Sequence, residues 1–163
     1  MAKISQVPTF VRAANVMTTT LLRAGFKLVG FGTPMYLFTV RGRKSGQPRT
    51  TPLAVVEQDG KRYLLAPYGV VDWVRNLRAA GVAILTRGRR AEEIRATELP
   101  SDEAALVLKT FIASGNPIGR NFGVTVESSP EDFERTAIKH PVFLLQGVAT
   151  TISESASQAR PVL

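Results

Sequence analysis

Between residues 35 and 68 the chain carries three short apolar runs, each closed by turn residues and not by a helix. "MYLFTVRG" (35–42) runs into a basic turn, "RTTPLAVVEQ" (49–58) into Asp59-Gly60, and "KRYLLAPY" (61–68) into Gly69. Runs of this length, bounded by so few residues, pair as antiparallel neighbours, because a parallel crossover needs a dozen residues or more. Asp-Gly supplies the positive φ that a tight hairpin turn demands. Pro52 has no N–H for a ladder, so the strand 49–58 belongs at an edge or carries a bulge. A second hairpin, "VAILTRGRRAEEIRATEL" (82–99), turns near Gly88, and "HPVFLLQGVAT" (140–150) is a last strand.

Helices punctuate these hairpins. "GVVDWVRNLRAAG" reads as a short helix with Asp72 at its N-cap and Gly81 just past its end. Ser101 caps another through about Ser114, with Asp102 and Glu103 favouring its first turn. Residues 115–133 read as one long irregular segment. The pattern predicts a mainly β (α+β) chain: a barrel or rolled sheet with helices packed outside, not a doubly wound parallel sheet. One domain is expected over residues 1–163, with the barrel over 35–150 and a disordered tail over 153–163.

The N-terminal segment, 8–30, is expected to be an amphipathic helix. Phe10, Ala14, Met17, Leu21, Ala24 and Leu28 recur every three or four residues and form one stripe, with Arg12, Arg23 and Lys27 off it. The stripe packs on its own domain, or residues 8–29 rest on an anionic membrane. No stretch approaches 18 consecutive apolar residues, so no span is expected.

Charge narrows the partners. The net is +8, but residues 1–90 hold 15 Lys/Arg against 3 Asp/Glu, and the first acid is Glu57. Residues 91–163 hold 6 against 10. A basic half calls for an anionic partner: nucleic acid, a membrane surface or a small polyanion. Nucleic acid is disfavoured, because no aromatic stacking platform is interleaved with the basic residues. The chain has no Cys and a single His, His140, which argues against disulfides, metal sites and triad hydrolysis.

Two constellations carry chemistry. Arg43-Lys44-Ser45-Gly46 sets two cations, a hydroxyl and a glycine in a row, which suits a phosphate; the alternative is a solvated basic hairpin. The P-loop spacing is missing. Trp73 and Asn76 lie three apart on one helical face. An indole in this position is normally core, but an amide in mid-helix is harder to explain by packing. Arg87, Arg89 and Arg90 cluster at a hairpin tip, for solubility or as a second anion contact. His140, before Pro141, reads as structural.

The segments "TVRGRKSGQPRTTPL", "DGKRYLLAPYG" and "DWVRNLRAAGVAIL", in that order, resemble the deazaflavin-dependent nitroreductase family. The likeness covers about residues 35–100. It implies a split β-barrel, FMN-binding-protein-like, of the flavin and deazaflavin oxidoreductase superfamily. It implies reduced coenzyme F-420 as cofactor, with FMN as the alternative. Arg43, Lys44, Ser45 and Gly46 would hold its phosphate. Arg49, Pro52 and Leu53 would line the next strand near it, Trp73 and Asn76 would close the site, and Ala66 would sit beside the ring. The proton donor is left open between solvent, Tyr68 and Ser45.

The implied function is hydride transfer from the reduced deazaflavin to a small acceptor: a quinone, an enone, a lipid-like molecule or a nitro compound. A non-catalytic coenzyme- or ligand-binding protein of the same fold is the other reading. The family's substrate-pocket tyrosines are missing after Tyr68, where Phe111, Phe122, Phe133 and Phe143 stand instead. That favours an apolar acceptor. A cytoplasmic homodimer is expected, peripheral on the inner membrane face.

Overall fold

The computed structural model describes residues 7–148. Helix α1 (Thr9–Arg23) leads into β1 (Val29–Gly30), β2 (Thr33–Arg41), β3 (Pro48–Ala54), β4 (Val56–Gln58) and β5 (Lys61–Leu65). Then follow α2 (Asp72–Ala80), the hairpin β6 (Val82–Arg87) and β7 (Arg90–Glu98), and α3 (Ser101–Ala113). A 3-10 helix (Pro117–Phe122), α4 (Pro130–Lys139) and β8 (Val142–Gly147) complete the described chain. The tail expected at 153–163 lies outside the described residues, as does the end of the strand drawn to 150.

Every strand pairing is antiparallel. The sheet runs β2-β6-β7-β8-β5-β4, with β1 and β3 both on β2. Strands β3 and β4 are separated in the chain by Val55 alone, which is fully buried. Yet β3 pairs with β2 at one end of the sheet and β4 with β5 at the other. One bent segment thus joins both ends and rolls the sheet into a barrel. Pro52, opposite Leu37, sits in a strand that pairs with β2 alone, so its missing donor disrupts no second ladder.

Two cores hold this sheet. Inside the barrel, Phe38, Leu64, Val74, Leu85, Ile94 and Phe143 pack around Trp73. Outside it, α3 and α4 cover β5 and β8, with Leu108, Phe111 and Phe133 on Tyr63, Leu65 and Val142. Strands β5 and β8 are therefore buried on both faces. That is why "YLL" and "VFLL" read as unbroken apolar runs without alternation. Burial of each such Leu or Phe is worth about 1.5–3 kcal/mol.

Three expectations about helices are corrected. Helix α1 stops at Arg23, well short of residue 30, because Gly25 takes φ +91°. Its apolar stripe also faces away from the barrel: Phe10 is 75% exposed and Met17 65%. The face laid on β2 and β3 carries Val11, Asn15, Thr18, Thr19 and the buried Leu22. Finally, the segment read as irregular over 115–133 contains the 3-10 helix and the start of α4. Asn116 pins it by donating from Nδ2 to the Phe31 carbonyl at 3.1 Å. Helix α4 opens on a capping box in which Ser129 and Asp132 satisfy each other's backbone N–H groups.

The expected caps shift by one residue. Val71 precedes α2 and Pro100 precedes α3, and neither Asp72 nor Ser101 makes a side-chain cap bond. Gly81 ends α2 in the left-handed region, as the sequence requires.

Candidate functional site

The turn between β2 and β3 is built by its glycines. Gly42 donates its N–H to the Gln47 carbonyl at 2.8 Å, and Gly46 donates to the Gly42 carbonyl at 2.8 Å. A Cβ on Gly42 would lie 3.0 Å from Ser45 Oγ and 3.1 Å from the Gln47 carbonyl oxygen, so only glycine fits there. Gly46 holds φ +71°. Ser45 Oγ accepts from the Gln47 N–H at 3.3 Å, which leaves its own proton available to donate. Among the described residues, the Lys44 and Ser45 amides have no acceptor.

Helix α2 fixes this turn from below. Asn76 is 6% exposed. Its Oδ1 accepts from the Arg43 backbone N–H at 3.1 Å and from Arg43 Nη1 at 2.8 Å. Arg43 Nη2 reaches Asp72 Oδ1 at 3.3 Å. The amide that packing alone left unexplained is thus a clamp on the basic turn. Trp73, one helical turn away, meets Phe38 edge-on with centroids 5.8 Å apart and Phe143 at 6.0 Å. It is a core residue that also lends an edge to the site.

These elements enclose a cleft of about 660 Å³, lined by Arg43, Lys44, Ser45, Arg49, Trp73 and Asn76 among others. A neighbouring hollow of about 400 Å³ shares Arg23, Thr50 and Thr51 with it and extends to Pro52. Together they form a groove along β3, roofed by the Arg12, Asn15 and Thr19 face of α1. The cleft has four cations, Arg23, Arg43, Lys44 and Arg49, against one carboxylate, Asp72. Asp72 is shared between Arg43 and Arg75, the latter at 3.6 Å. Among the described residues, no carboxylate lies within salt-bridge distance of Arg23, Lys44 or Arg49.

Not every expected residue reaches this cleft. Gly46 closes the turn but faces a different hollow, beside Pro48 and Ala79. Leu53 packs on the barrel core next to its cross-strand partner Tyr36. Ala66 is buried just past β5, where its carbonyl accepts from Gly69 N–H at 3.0 Å and stands 2.9 Å from His140 Nδ1. Tyr68 packs on the same core and lines none of the cavities described. His140 packs edge-on against Phe122, with ring centroids 5.2 Å apart, and lines none of the cavities described. The sequence reading missed Arg12, Asn15, Arg23, Thr50 and Thr51. The polar side of the α1 helical wheel was the available signal for the first three.

A cleft of this size lies within the usual 300–1,000 Å³ of small-molecule sites, and its surplus cations fit a phosphate with further carboxylates. Gly42 leaves room where any side chain would fill the cradle.

A family model described as F420H(2)-dependent quinone reductase matches residues 10–117, about two thirds of the chain. No curated protein matches. Among solved structures, an F420-H2 dependent reductase (FDR-A) is 25% identical, at a TM-score of 0.49, covering 69% of this chain and 93% of that one. A chain described as a domain-swapped dimer is 24% identical over 84% of this chain and 97% of its own, at a TM-score of 0.51. The second likeness supports the split-barrel fold, and the family match spans α1, the basic turn, α2 and the β6–β7 hairpin. Barrel and basic turn thus meet in one assignment: this chain belongs to the F420H(2)-dependent quinone reductase family and is an oxidoreductase whose cofactor is reduced coenzyme F420.

Proposed function

We propose that the cleft at the basic turn seats the phosphate end of the reduced deazaflavin, and that the acceptor is a small, largely apolar molecule of the quinone type. The observation that carries this reading is the set of four cations facing a single carboxylate in the cleft, beside turn amides without acceptors. When bound, the coenzyme supplies a hydride, and a proton from solvent completes two-electron reduction of the acceptor.

The chain's own residues bind and orient. Lys44 and Arg49 neutralise the oxyanion, Ser45 donates its hydroxyl proton to it, and Asn76 holds Arg43 and the turn in place. The groove along Thr50, Thr51 and Pro52 gives the rest of the coenzyme an extended wall. Of the three proton sources, solvent fits best: Ser45 is committed to the phosphate, and Tyr68 lines none of the cavities described.

The exposed stripe of α1, with Phe10, Val16, Met17 and Leu21, supports a peripheral contact with an anionic membrane from the cytoplasmic side. No helix among the described residues is long and apolar enough to cross one. A homodimer is the assembly proposed on fold analogy.

The test is the double variant Lys44→Ala with Arg49→Ala. Charge-assisted bonds are worth about 1.5–3 kcal/mol each, so coenzyme affinity should fall at least a hundredfold. Thermal stability should hardly move, since both side chains are exposed. Unchanged affinity rules out the phosphate seat.

A further inference from the structure

The largest of the described cavities, about 790 Å³, is not the cleft at the basic turn. It lies between the β6–β7 turn, the segment after α1 and the start of β2. Lys27, Arg87, Arg89 and Arg90 line it, with Tyr36 and Leu85 as apolar wall. It shares no lining residue with the basic cleft. Tyr36 here and Val40 there are four residues apart on β2, about 13 Å along the strand.

Three features make this a formed site and not a loose cluster of surface charge. First, Arg87 Nε is buried and has no hydrogen-bond partner among the described residues. A buried donor without an acceptor is costly, and a bound oxyanion would relieve it. Second, the Arg87 guanidinium sits over the Tyr36 ring, 5.6 Å from its centroid, which fixes the head in position. Third, a Cβ on Gly88 would lie 3.1 Å from Lys27 Cε, so the glycine lets the lysine stem close over the turn. The lone carboxylate in the lining, Glu92, is held by both of the Arg62 terminal nitrogens. Among the described residues, none of the four cations has a carboxylate within salt-bridge distance.

Tyr36 faces Leu53 across the β2–β3 pair, so the cavity adjoins the end of β3 far from the basic turn. On the proposed reading of that turn as the phosphate seat, this is the acceptor's end of the groove. We propose that the Lys27, Arg87 and Arg89 cavity is a carboxylate seat, and that the acceptor is a quinone bearing a carboxylate, with its ring packed on Tyr36 and Leu85. The reaction is unchanged: hydride and proton convert the quinone to its hydroquinone, and the carboxylate takes no part.

A carboxylate here has two sources, the acceptor or an acidic tail on the coenzyme, and the experiment separates them. Naphthoate, which accepts no hydride, is titrated by NMR into the full chain without coenzyme. The wild type should bind it, and Arg87→Gln should weaken binding roughly tenfold or more, as for loss of a charge-assisted bond. Lys27→Gln, away from the sheet, should act in the same direction and serves if Arg87→Gln folds poorly. In turnover, a naphthoquinone carboxylate should have a lower KM than its methyl ester, and Arg87→Gln should erase that difference with coenzyme affinity intact. Absent or unaltered naphthoate binding overturns the seat. A fall in coenzyme affinity in Arg87→Gln, with acid and ester equal, assigns the cavity to the coenzyme's tail and also overturns it. The naphthoate arm needs no coenzyme, so it decides this proposal even if the basic cleft proves to hold something else.

Discussion

Asn76→Ala probes the clamp on the basic turn. The substitution removes two hydrogen bonds to one oxygen, from the Arg43 backbone at 3.1 Å and the Arg43 guanidinium at 2.8 Å. A neutral bond is worth about 1 kcal/mol and a charge-assisted one about 1.5–3 kcal/mol. The Arg43 side chain is 27% exposed, so water recovers part of the second term. Alanine also gains about 0.5 kcal/mol in helix propensity over asparagine. The net loss of stability should be about 1–2 kcal/mol, which is a modest fall in Tm.

Binding should suffer more. Without the clamp, residues 43 to 45 must be ordered by the coenzyme itself; full ordering costs about 1–2 kcal/mol per residue, and the turn bonds of Gly42 and Gly46 leave only part of that to be met. A total near 2 kcal/mol is roughly a thirtyfold loss of affinity. Fluorescence titration with coenzyme F420 reads this directly. Asn76→Asp is the control, since a carboxylate still accepts from Arg43 at the same place, although its charge opposes a phosphate in the cleft. It should recover the stability lost in Asn76→Ala while weakening coenzyme affinity. If Asn76→Asp is as destabilised as Asn76→Ala, the clamp argument fails. If Asn76→Ala binds normally, the turn is rigid without help.

Gly42→Ala forces a Cβ to 3.0 Å from Ser45 Oγ and 3.1 Å from the Gln47 carbonyl, so overpacking should cost about 1–3 kcal/mol by denaturant titration and weaken coenzyme binding with it. His140→Ala removes the ring beside the Ala66 carbonyl and Phe122; it should lower Tm and leave coenzyme affinity unchanged, which an identical titration checks. The Asp132 carboxyl is held below the usual carboxylate range, first by the Ser129 hydroxyl, then by the Ser129 N–H, then by Arg135. Its stabilising effect is therefore complete above the ordinary carboxylate pKa and lost as pH falls through the lowered one. Ser129→Ala should move the Asp132 titration upward in NMR and flatten that acid-side loss. Deleting residues 7–25 removes the exposed Phe10, Met17 and Leu21 stripe and should abolish sedimentation with anionic vesicles; persistence of binding locates the membrane contact elsewhere.

The hairpins were legible because turn chemistry is local, but the strand order was not: the run 49–58 splits at Val55 into β3 and β4, which pair at opposite ends of the sheet. Asp59-Gly60, Gly88 and Pro52 each fix a backbone event within a few residues, and every hairpin they mark is present. What was not legible was which neighbour a helix meets. The α1 stripe has a clean helical period, yet the barrel takes the Thr18, Thr19 and Leu22 side, because a polar face suits a groove lined by Thr50, Thr51 and Arg49. Periodicity locates an apolar face but not its partner. Helix α4 was missed although Ser129 and Asp132 stand at capping-box spacing, because the preceding residues carry no helical period. At the site, Arg43, Lys44, Ser45, Arg49, Trp73 and Asn76 converge as the motifs implied. Asn76 acts through Arg43, a pairing 33 residues apart that no local pattern encodes.

The central claim is that the basic cleft seats a deazaflavin. The most direct test is a paired titration of the purified protein with reduced coenzyme F420 and with FMN, followed by absorbance or fluorescence. Our account predicts saturable binding of the deazaflavin, weak or absent binding of FMN, and loss of the deazaflavin signal in Lys44→Ala with Arg49→Ala. Preference for FMN, or deazaflavin binding that survives both substitutions, contradicts it.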